Sequence, residues 1–430
     1  MTTSVIRAGG TGVAGVQTTG GDDGALALKV GPLSTTVEAL SITSAGAATL
    51  ASTLAVTGGV TGVTAINSGQ IGGRRNIIHN GDFKIAQRGA SSTGLGAASG
   101  YFTVDRFYMQ SAATAGRYTM AQVADGPAGF ANCLKLTTTT ADTSIAAGEY
   151  LLLSSNIEGQ DLQHLKKGTA SAEQVTVSFW VKGNAAALYV CELQDLDTAG
   201  GRVNTQSFAV TTSWNRIELT FAGDTTGALN DDNGASLGLN FWLHVGSTYG
   251  GGTFAGDNTW AGITQANRAA VDGFTSIFDA TSRTFFITGV QMEIGATATE
   301  FESRTYGEEL ALCQRYLPAF TRVAGGAAAG QFPGIGNGQT TTAGFIVVNF
   351  PVPARKSATG VTVSDVAHFQ TGSAGVTSDI VLSAIAFNQS SSTAALINIT
   401  QGSATSITNF VISLRTNTTD AIMYFTGCEL

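Results

Sequence analysis

One stretch constrains the chain more than any other: residues 284–316, TFFITGVQMEIGATATEFESRTYGEELALCQRY. It begins as a strand. Phe286, Val290, Met292 and Ile294 fall on one face and Gln291 and Glu293 on the other, the period of a half-buried β-strand. Gly295 marks a turn. Thr305 is placed to cap a helix, and Glu308 three residues later completes a capping box. Tyr306, Leu310, Cys313 and Leu317 then recur at helical spacing and give one apolar stripe. Pro318 ends the helix. The stretch therefore predicts the last strand of one β domain and a short helix that hands the chain to another.

Upstream, the pattern is strand after strand. Short alternating segments fall at 133–137, 149–153, 174–182, 187–194, 207–210, 215–221 and 237–245, with turn residues between. In the segment 174–182 the alternation is clean, with Val175, Val177, Phe179 and Val181 on one side. Trp180 and Trp214 are expected in the core. Downstream of Pro318, strands are expected at 344–350, 360–366, 380–387, 395–400, 410–414 and 421–430. Composition agrees: 55 glycines, only 6 prolines and 12% charged residues suit short strands joined by tight turns. So few charges, with a mean hydropathy of +0.16, predict apolar surface buried between subunits.

Residues 1–73 differ from the rest, with no aromatic residue and no cysteine. Residues 22–42 read as two or three short strands of an attachment region. Residues 48–67 are low in complexity but place Leu50, Leu54, Val56, Val60 and Val63 regularly. A strip that narrow forms no core alone, and three copies around one axis form an interwound β shaft; the competing reading is a Gly/Ser/Thr linker.

The net charge is −8. Basic residues form no cluster larger than the doublets Arg74-Arg75, Lys166-Lys167 and Arg355-Lys356, which argues against nucleic-acid binding, and the acidic balance gives no attraction to an anionic membrane. No apolar run has the length of a transmembrane helix. The first residues lack a signal peptide's charged and apolar regions, so synthesis in a reducing cytosol is expected. Cys133, Cys191 and Cys313 sit among apolar neighbours and read as small core residues; with Cys428 they are too few and too scattered for a disulfide framework.

Several segments together resemble phage tail-fibre and receptor-binding proteins. Asn76 to Asp82 with Gln87-Arg88 is similar to that family's N-x-x-x-N-G-D/N…Q-R-G opening. Tyr101 with Val104 to Phe107 resembles its Y-x-x-D-R-W segment, with Phe107 in place of Trp. Val177 to Lys182 resembles its S-F-W-V-K strand. Gly289 to Gly295, Phe301 and Glu309 to Tyr316 resemble its G-V-Q-L-E-x-G…F…E-L-x-x-C-Q-R-Y closing. The similarity spans residues 74–318. It implies a jelly-roll sandwich like those of carbohydrate-binding modules, in a homotrimeric virion appendage. The domain plan is then an attachment and shaft segment (1–73), a jelly-roll β-sandwich (74–304), a linking helix (305–317) and a C-terminal β-sandwich head (318–430), mainly β throughout. The function expected is adsorption of a virion tail to a host-surface glycan, with the N-terminal region held by other tail or baseplate proteins. The alternatives are a purely structural appendage and a polysaccharide-degrading tailspike.

No nucleophile elbow, zinc-protease motif or phosphate-binding loop occurs, no cofactor is expected, and the chain reads as a non-enzyme. His79, His164, His244 and His368 do not cluster in sequence; His244 reads as a satisfied core or edge residue. The carboxylate pairs Asp195/Asp197, Asp231/Asp232 and Glu308/Glu309 fit turn and helix-start chemistry better than glycoside hydrolysis. Asp224 with Asp231 and Asp232 matches no EF-hand spacing, and no metal is expected. Sugar recognition needs flat aromatic faces with amides nearby. Tyr249, Trp260 and Asn258 lie in a Gly-rich stretch too irregular for strands, and with Trp242 they are the candidate carbohydrate-binding residues; Trp242, in an apolar strand, also reads as core.

Overall fold

The computed structural model describes residues 17–20, 26–30, 37–42, 48–50, 65–66, 69–70, 74–322, 330–373, 379–403, 407–417 and 420–430. The chain divides into two compact units, residues 1–64 and 65–430. In the first, β1 (Gln17–Gly20), β2 (Leu26–Val30), β3 (Val37–Ile42) and β4 (Ala48–Leu50) form an antiparallel meander. The strands expected within 22–42 are β2 and β3. Most of the expected shaft, residues 51–64, lies outside the described residues. The second unit opens with a hairpin of β5 (Ala65–Ile66) and β6 (Gly69–Gln70).

The next strands are β7 (Ser91–Leu95), β8 (Tyr108–Ala112), β9 (Arg117–Val123), β10 (Cys133–Thr140), β11 (Tyr150–Glu158), β12 (Val175–Gly183), β13 (Ala187–Asp195), β14 (Arg202–Val210), β15 (Asn215–Phe221), β16 (Ala235–Val245), β17 (Ala261–Gly262) and β18 (Thr284–Ile294). They make two six-stranded sheets, ordered β15-β12-β18-β10-β9-β7 and β17-β14-β13-β16-β11-β8. One core lies between them. Phe179 of the first sheet meets Phe241 of the second edge-on, with ring centroids 5.0 Å apart, a geometry that aromatic quadrupoles favour. The expected β-sandwich is this body. Trp180 and Trp214 are half-buried and not core: Trp180 alternates with Phe179 and Val181, which take the inner positions.

β18 lies inside its sheet, between β12 and β10. β10 pairs with it only along residues 284–287. The rest of that edge is taken by the segment that opens the domain. Ile77 N–H donates to Met292 O (2.8 Å), and Val290 N–H donates to Gly81 O (2.9 Å). Asn76 Oδ1 accepts from Met292 N (3.1 Å). A side chain at Gly81 would place its Cβ 2.0 Å from Val290 O, so the close approach demands glycine.

The face assignment of β18 needs one correction. Phe285 and Ile287 point into the core with Val290 and Met292, whereas Phe286 lies outside that core, beside Trp214. A bulge between Thr288 and Gln291 shifts the register against β12, and Gly289 at φ +64° carries it. An inserted residue flips every side chain beyond it.

Helix α2 (Tyr306–Gln314) follows a short helical turn, α1 (Ser247–Gly250), in chain order. Its capping box forms as expected: Thr305 Oγ1 accepts from Glu308 N and Glu308 accepts from Thr305 N. The apolar stripe is displaced from its expected position. Tyr306 is 62% exposed, and the buried positions are Glu309, Cys313, Tyr316 and Leu317. The helix docks on its own sandwich through a buried acid: Glu309 Oε1 accepts from Asn80 N (2.5 Å) and lies 3.5 Å from Arg304.

The motifs that carry the family resemblance meet at this dock. Asn80 Nδ2 donates to Ile85 O and Asp105 O (2.8 and 2.9 Å). Gln87 Nε2 bridges Asp105 and Leu317 O. The Arg106 guanidinium lies 3.4 Å from the centre of the Tyr316 ring. Arg315 forms two hydrogen bonds with Glu158 (2.8 and 2.7 Å).

Past the helix, β19 (Ala319–Arg322), β20 (Gly330–Gly338), β21 (Ala343–Asn349), β22 (Gly360–Val363), β23 (Phe369–Ser373), β24 (Ile380–Ser390), β25 (Ala394–Gln401), β26 (Val411–Thr416) and β27 (Ala421–Thr426) follow. The C-terminal sandwich expected here is corrected. β20-β21-β25-β24-β23-β26 close into a barrel, and β19-β27-β22 form a separate three-stranded sheet. Closure comes from β20, which pairs with β21 on one side and β26 on the other. Alternation alone is the same in a barrel and a sandwich.

Candidate functional site

The outer face of the second sheet holds the candidate site. In β16, Leu239, Phe241 and Leu243 enter the core, so Asn240 and Trp242 take the opposite face. Trp242 stands between Leu152 of β11 and Val190 of β13 in the ladder. These residues and Ala269 form an apolar cluster apart from the main core. The segment 246–274 folds back over them. Tyr249 from α1 lies 5.5 Å from Trp242 by ring centroids, and Tyr150 meets Tyr249 edge-on at 5.1 Å.

Arg268 covers the group. Its guanidinium stands 4.8 Å over the Trp242 ring. It donates to Glu192 through Nε (2.8 Å) and Nη2 (2.5 Å), and to Gln194 Oε1 (2.8 Å). Asn240 Nδ2 also donates to Glu192 (2.8 Å). The Glu192 side chain is fully buried, so its charge is held entirely by these donors. Burial works against the Arg268 charge, and the Glu192 carboxylate outweighs it, raising the Arg268 pKa.

Between these groups lies a cavity of about 160 Å³, lined by Gln110, Tyr150, Gln194, Trp242, Tyr249, Gln265 and Arg268 among others. Its walls combine side-chain amides, a guanidinium and aromatic rings. Trp242 Nε1–H is buried and has no protein partner, and a buried donor left unpaired costs about 1–3 kcal/mol.

Of the four sequence candidates, the structure brings Tyr249 and Trp242 together at this cavity and places Trp260 and Asn258 elsewhere. Trp260 Nε1 donates to Ala222 O (2.7 Å), and its ring packs on the main core. Asn258 Oδ1 accepts from Ala222 N (2.8 Å) and Asn204 Nδ2 (3.2 Å). Both residues close the sandwich edge where β14 and the end of β15 meet. Gln110, Gln194, Gln265 and Arg268 escape sequence reading because isolated polar residues on separate strands and a loop form no motif.

Most of the paired carboxylates have structural partners. Asp195 accepts from Lys167 Nζ (2.6 Å) and Thr198 Oγ1 (2.6 Å); burial raises its pKa, but these bonds win and lower it. Asp224 binds Arg202 through both oxygens (2.9 and 3.0 Å) and contacts Lys167, so it is not free to join Asp231 and Asp232 around a cation. Asp231 and Asp232 are exposed, and Asp232 Oδ1 accepts from Gly234 N in its own turn (2.7 Å). Glu308 caps its helix, and burial raises the pKa of Glu309. All four cysteines are free and buried. No helix among the described residues is long and apolar enough to cross a membrane.

No protein-family model matches the chain, and no curated protein does. Among solved structures it is similar to a family 11 carbohydrate-binding module from Clostridium thermocellum in complex with a β-1,3-1,4-mixed-linked tetrasaccharide. That match has 14% identity, covers 49% of this chain and 98% of that one, and has a TM-score of 0.26. It is also similar to the enzymatically active domain of bacteriophage CBA120 tailspike protein 4, at 12% identity over 51% of this chain and 21% of that one, with a TM-score of 0.27. A family 30 carbohydrate-binding module matches at 12% identity over 53% and 97%, with a TM-score of 0.23. Scores this low carry no functional argument, which rests instead on the residues of this chain.

Proposed function

We propose that the chain is a non-enzymatic phage tail fibre that adsorbs to a host-surface glycan through the cavity on the outer face of its second sheet. The observation that carries this reading is the convergence on one small cavity of amide side chains, the Arg268 guanidinium, the Tyr150 and Tyr249 rings and the unpaired Trp242 Nε1–H. A sugar ring offers C–H surface for the aromatic groups and hydroxyls for the amides and the indole donor. The cavity volume suits one terminal sugar unit rather than a long chain. The engagement of Asp195, Glu308 and Glu309 with structural partners supports the non-enzymatic reading. The resemblance in sequence motifs supports a virion tail location after synthesis in the host cytoplasm, with residues 1–73 held by tail or baseplate proteins. Exposed Ile335, Val347, Phe410 and Val411 on the barrel support self-association into a homotrimer, in which three weak sites act together by avidity.

A glycan array with the full-length chain tests the reading. Binding that is lost in Tyr249→Ala and in Gln194→Ala, each still folded by circular dichroism, is expected. A folded wild-type chain that binds no glycan and no host cell overturns it, and release of reducing ends from host polysaccharide overturns the non-enzymatic part.

A further inference from the structure

We propose that Asp142, Glu149 and His244 form a binding site for one divalent transition-metal ion, with zinc the best match to the donors. They are the one such group among the described residues: one ligand atom from each lies within 4.8 Å of the others, and all three side chains are buried. Asp142 and Glu149 flank the crossover from β10 to β11. His244 comes from the end of β16.

The arrangement points each ligand inward. Thr114 Oγ1 (2.9 Å), Ala115 N (2.8 Å) and Gly116 N (3.3 Å) all bond one Asp142 oxygen, Oδ2. That leaves Oδ1 for a cation. His244 Nδ1 lies 2.7 Å from Ser276 Oγ, which accepts from Phe278 N (2.9 Å). Such an outer partner fixes ring orientation in metal-bound histidines and leaves Nε2 as the ligand. Nε2 stands 3.4 Å from Glu149 Oε2. This exceeds the usual N–H···O range. Two ligands each about 2.05 Å from a tetrahedral ion stand about 3.3 Å apart.

Charge balance makes the second, independent argument. Glu192, Glu158, Asp195 and Asp224 each hold a lysine or arginine. Among the described residues, the salt-bridge partner of Glu149 is His244, and Asp142 has none. Buried Asp105 and Glu293 also have no salt-bridge partner, but neutral donors meet both oxygens of each; Asp142 and Glu149 instead face one another beside an imidazole, where a dication would supply the missing charge. An imidazole nitrogen in the set favours zinc over calcium, which takes oxygen ligands. A bound ion would staple the crossover between the sheets to β16.

The test uses the full-length, tag-free chain stripped with chelator and then titrated with Zn²⁺, Co²⁺ or Ca²⁺. The expected result is one equivalent of Zn²⁺ per chain and visible Co²⁺ absorption of a tetrahedral site. At a hundredfold excess over Kd, Zn²⁺ raises the melting temperature by about 5–10 °C, and Ca²⁺ does not. Glu149→Gln and His244→Gln, checked for folding by circular dichroism, are expected to weaken Zn²⁺ binding at least tenfold. Stripped wild-type chain that neither binds Zn²⁺ nor shifts its melting overturns the proposal, as does stoichiometric binding that survives in His244→Gln.

Discussion

Replacing Arg268 with methionine tests how the outer face of the second sheet is held. The substitution keeps the apolar stem over Trp242 and removes the cation. Glu192 then stays fully buried with Asn240 Nδ2 as its remaining donor among those described here. Removing one partner of a buried ion pair typically costs about 3–5 kcal/mol, and the lost contact with the Trp242 ring adds about 1 kcal/mol. Asn240 offsets part of this, so a loss of about 3–4 kcal/mol in urea unfolding is expected. Glu192→Gln combined with Arg268→Met removes the stranded charge and should recover most of it. The loss has a ceiling: once it exceeds the free energy needed to lift the segment 246–274, that segment detaches and the sheets stay folded. Trp242 would then become accessible to acrylamide. A loss below about 1 kcal/mol with tryptophan quenching unchanged refutes the argument, because Glu192 would not depend on Arg268 at all.

Further outcomes follow from other contacts. Burial pushes Glu429 up to about 7 against the pull of Arg88; the folded chain keeps a proton that the unfolded chain releases between pH 4.5 and 7, so stability falls as pH rises through that window. Glu429→Gln should remove this slope, gaining about 2–3 kcal/mol on wild type from pH 4.5 to pH 7, and parallel curves in denaturant titrations at both pH values would sink the claim. Thr305→Ala should cost about 1 kcal/mol through loss of the cap, read by thermal melting, and an unchanged melt contradicts it. Gly289→Ala faces a positive φ and a Cβ position 2.7 Å from the Phe130 ring; a loss of about 1–3 kcal/mol is expected, and a neutral result argues that the bulge relaxes. Val411→Asp with Ile335→Asp should turn a trimer into monomers by light scattering without lowering the barrel's melting, and a wild-type chain that is already monomeric refutes the self-association argument.

Much of the fold was legible because alternation is a local signal. β15 spans residues 215–221 as its pattern predicts, and β12 and β27 differ from expectation only near their ends. β20 was not legible. Its GQFPGIGNG sequence reads as a loop, and it joins the barrel through backbone pairing that needs no apolar alternation. β9 was missed although Tyr118 and Met120 are buried, because polar residues flank them. The displaced Phe286 shows the cost of treating a strand as unbroken when a glycine bulge resets its faces. At the candidate site, Tyr249 and Trp242 were legible as aromatic residues near a glycine-rich segment. Trp260 carried the same local signal, and only the tertiary bond from its indole to Ala222 separates the two cases. Asp142, Glu149 and His244 span about a hundred positions of the sequence and meet only because β11 and β16 pair.

The dock between the domain's first segment and helix α2 has a mechanical consequence. Arg304 holds the carbonyl oxygens of Asn76 and Ile78, Glu309 holds Asn80 N, and Arg74 reaches Glu302 and Glu308. The points where the chain enters and leaves the sandwich are therefore cross-linked at one place. Tension applied between residues 74 and 318 runs through this clasp and bypasses the two sheets. The sandwich hangs from the line of force as a side branch, and it stays folded until the clasp gives way.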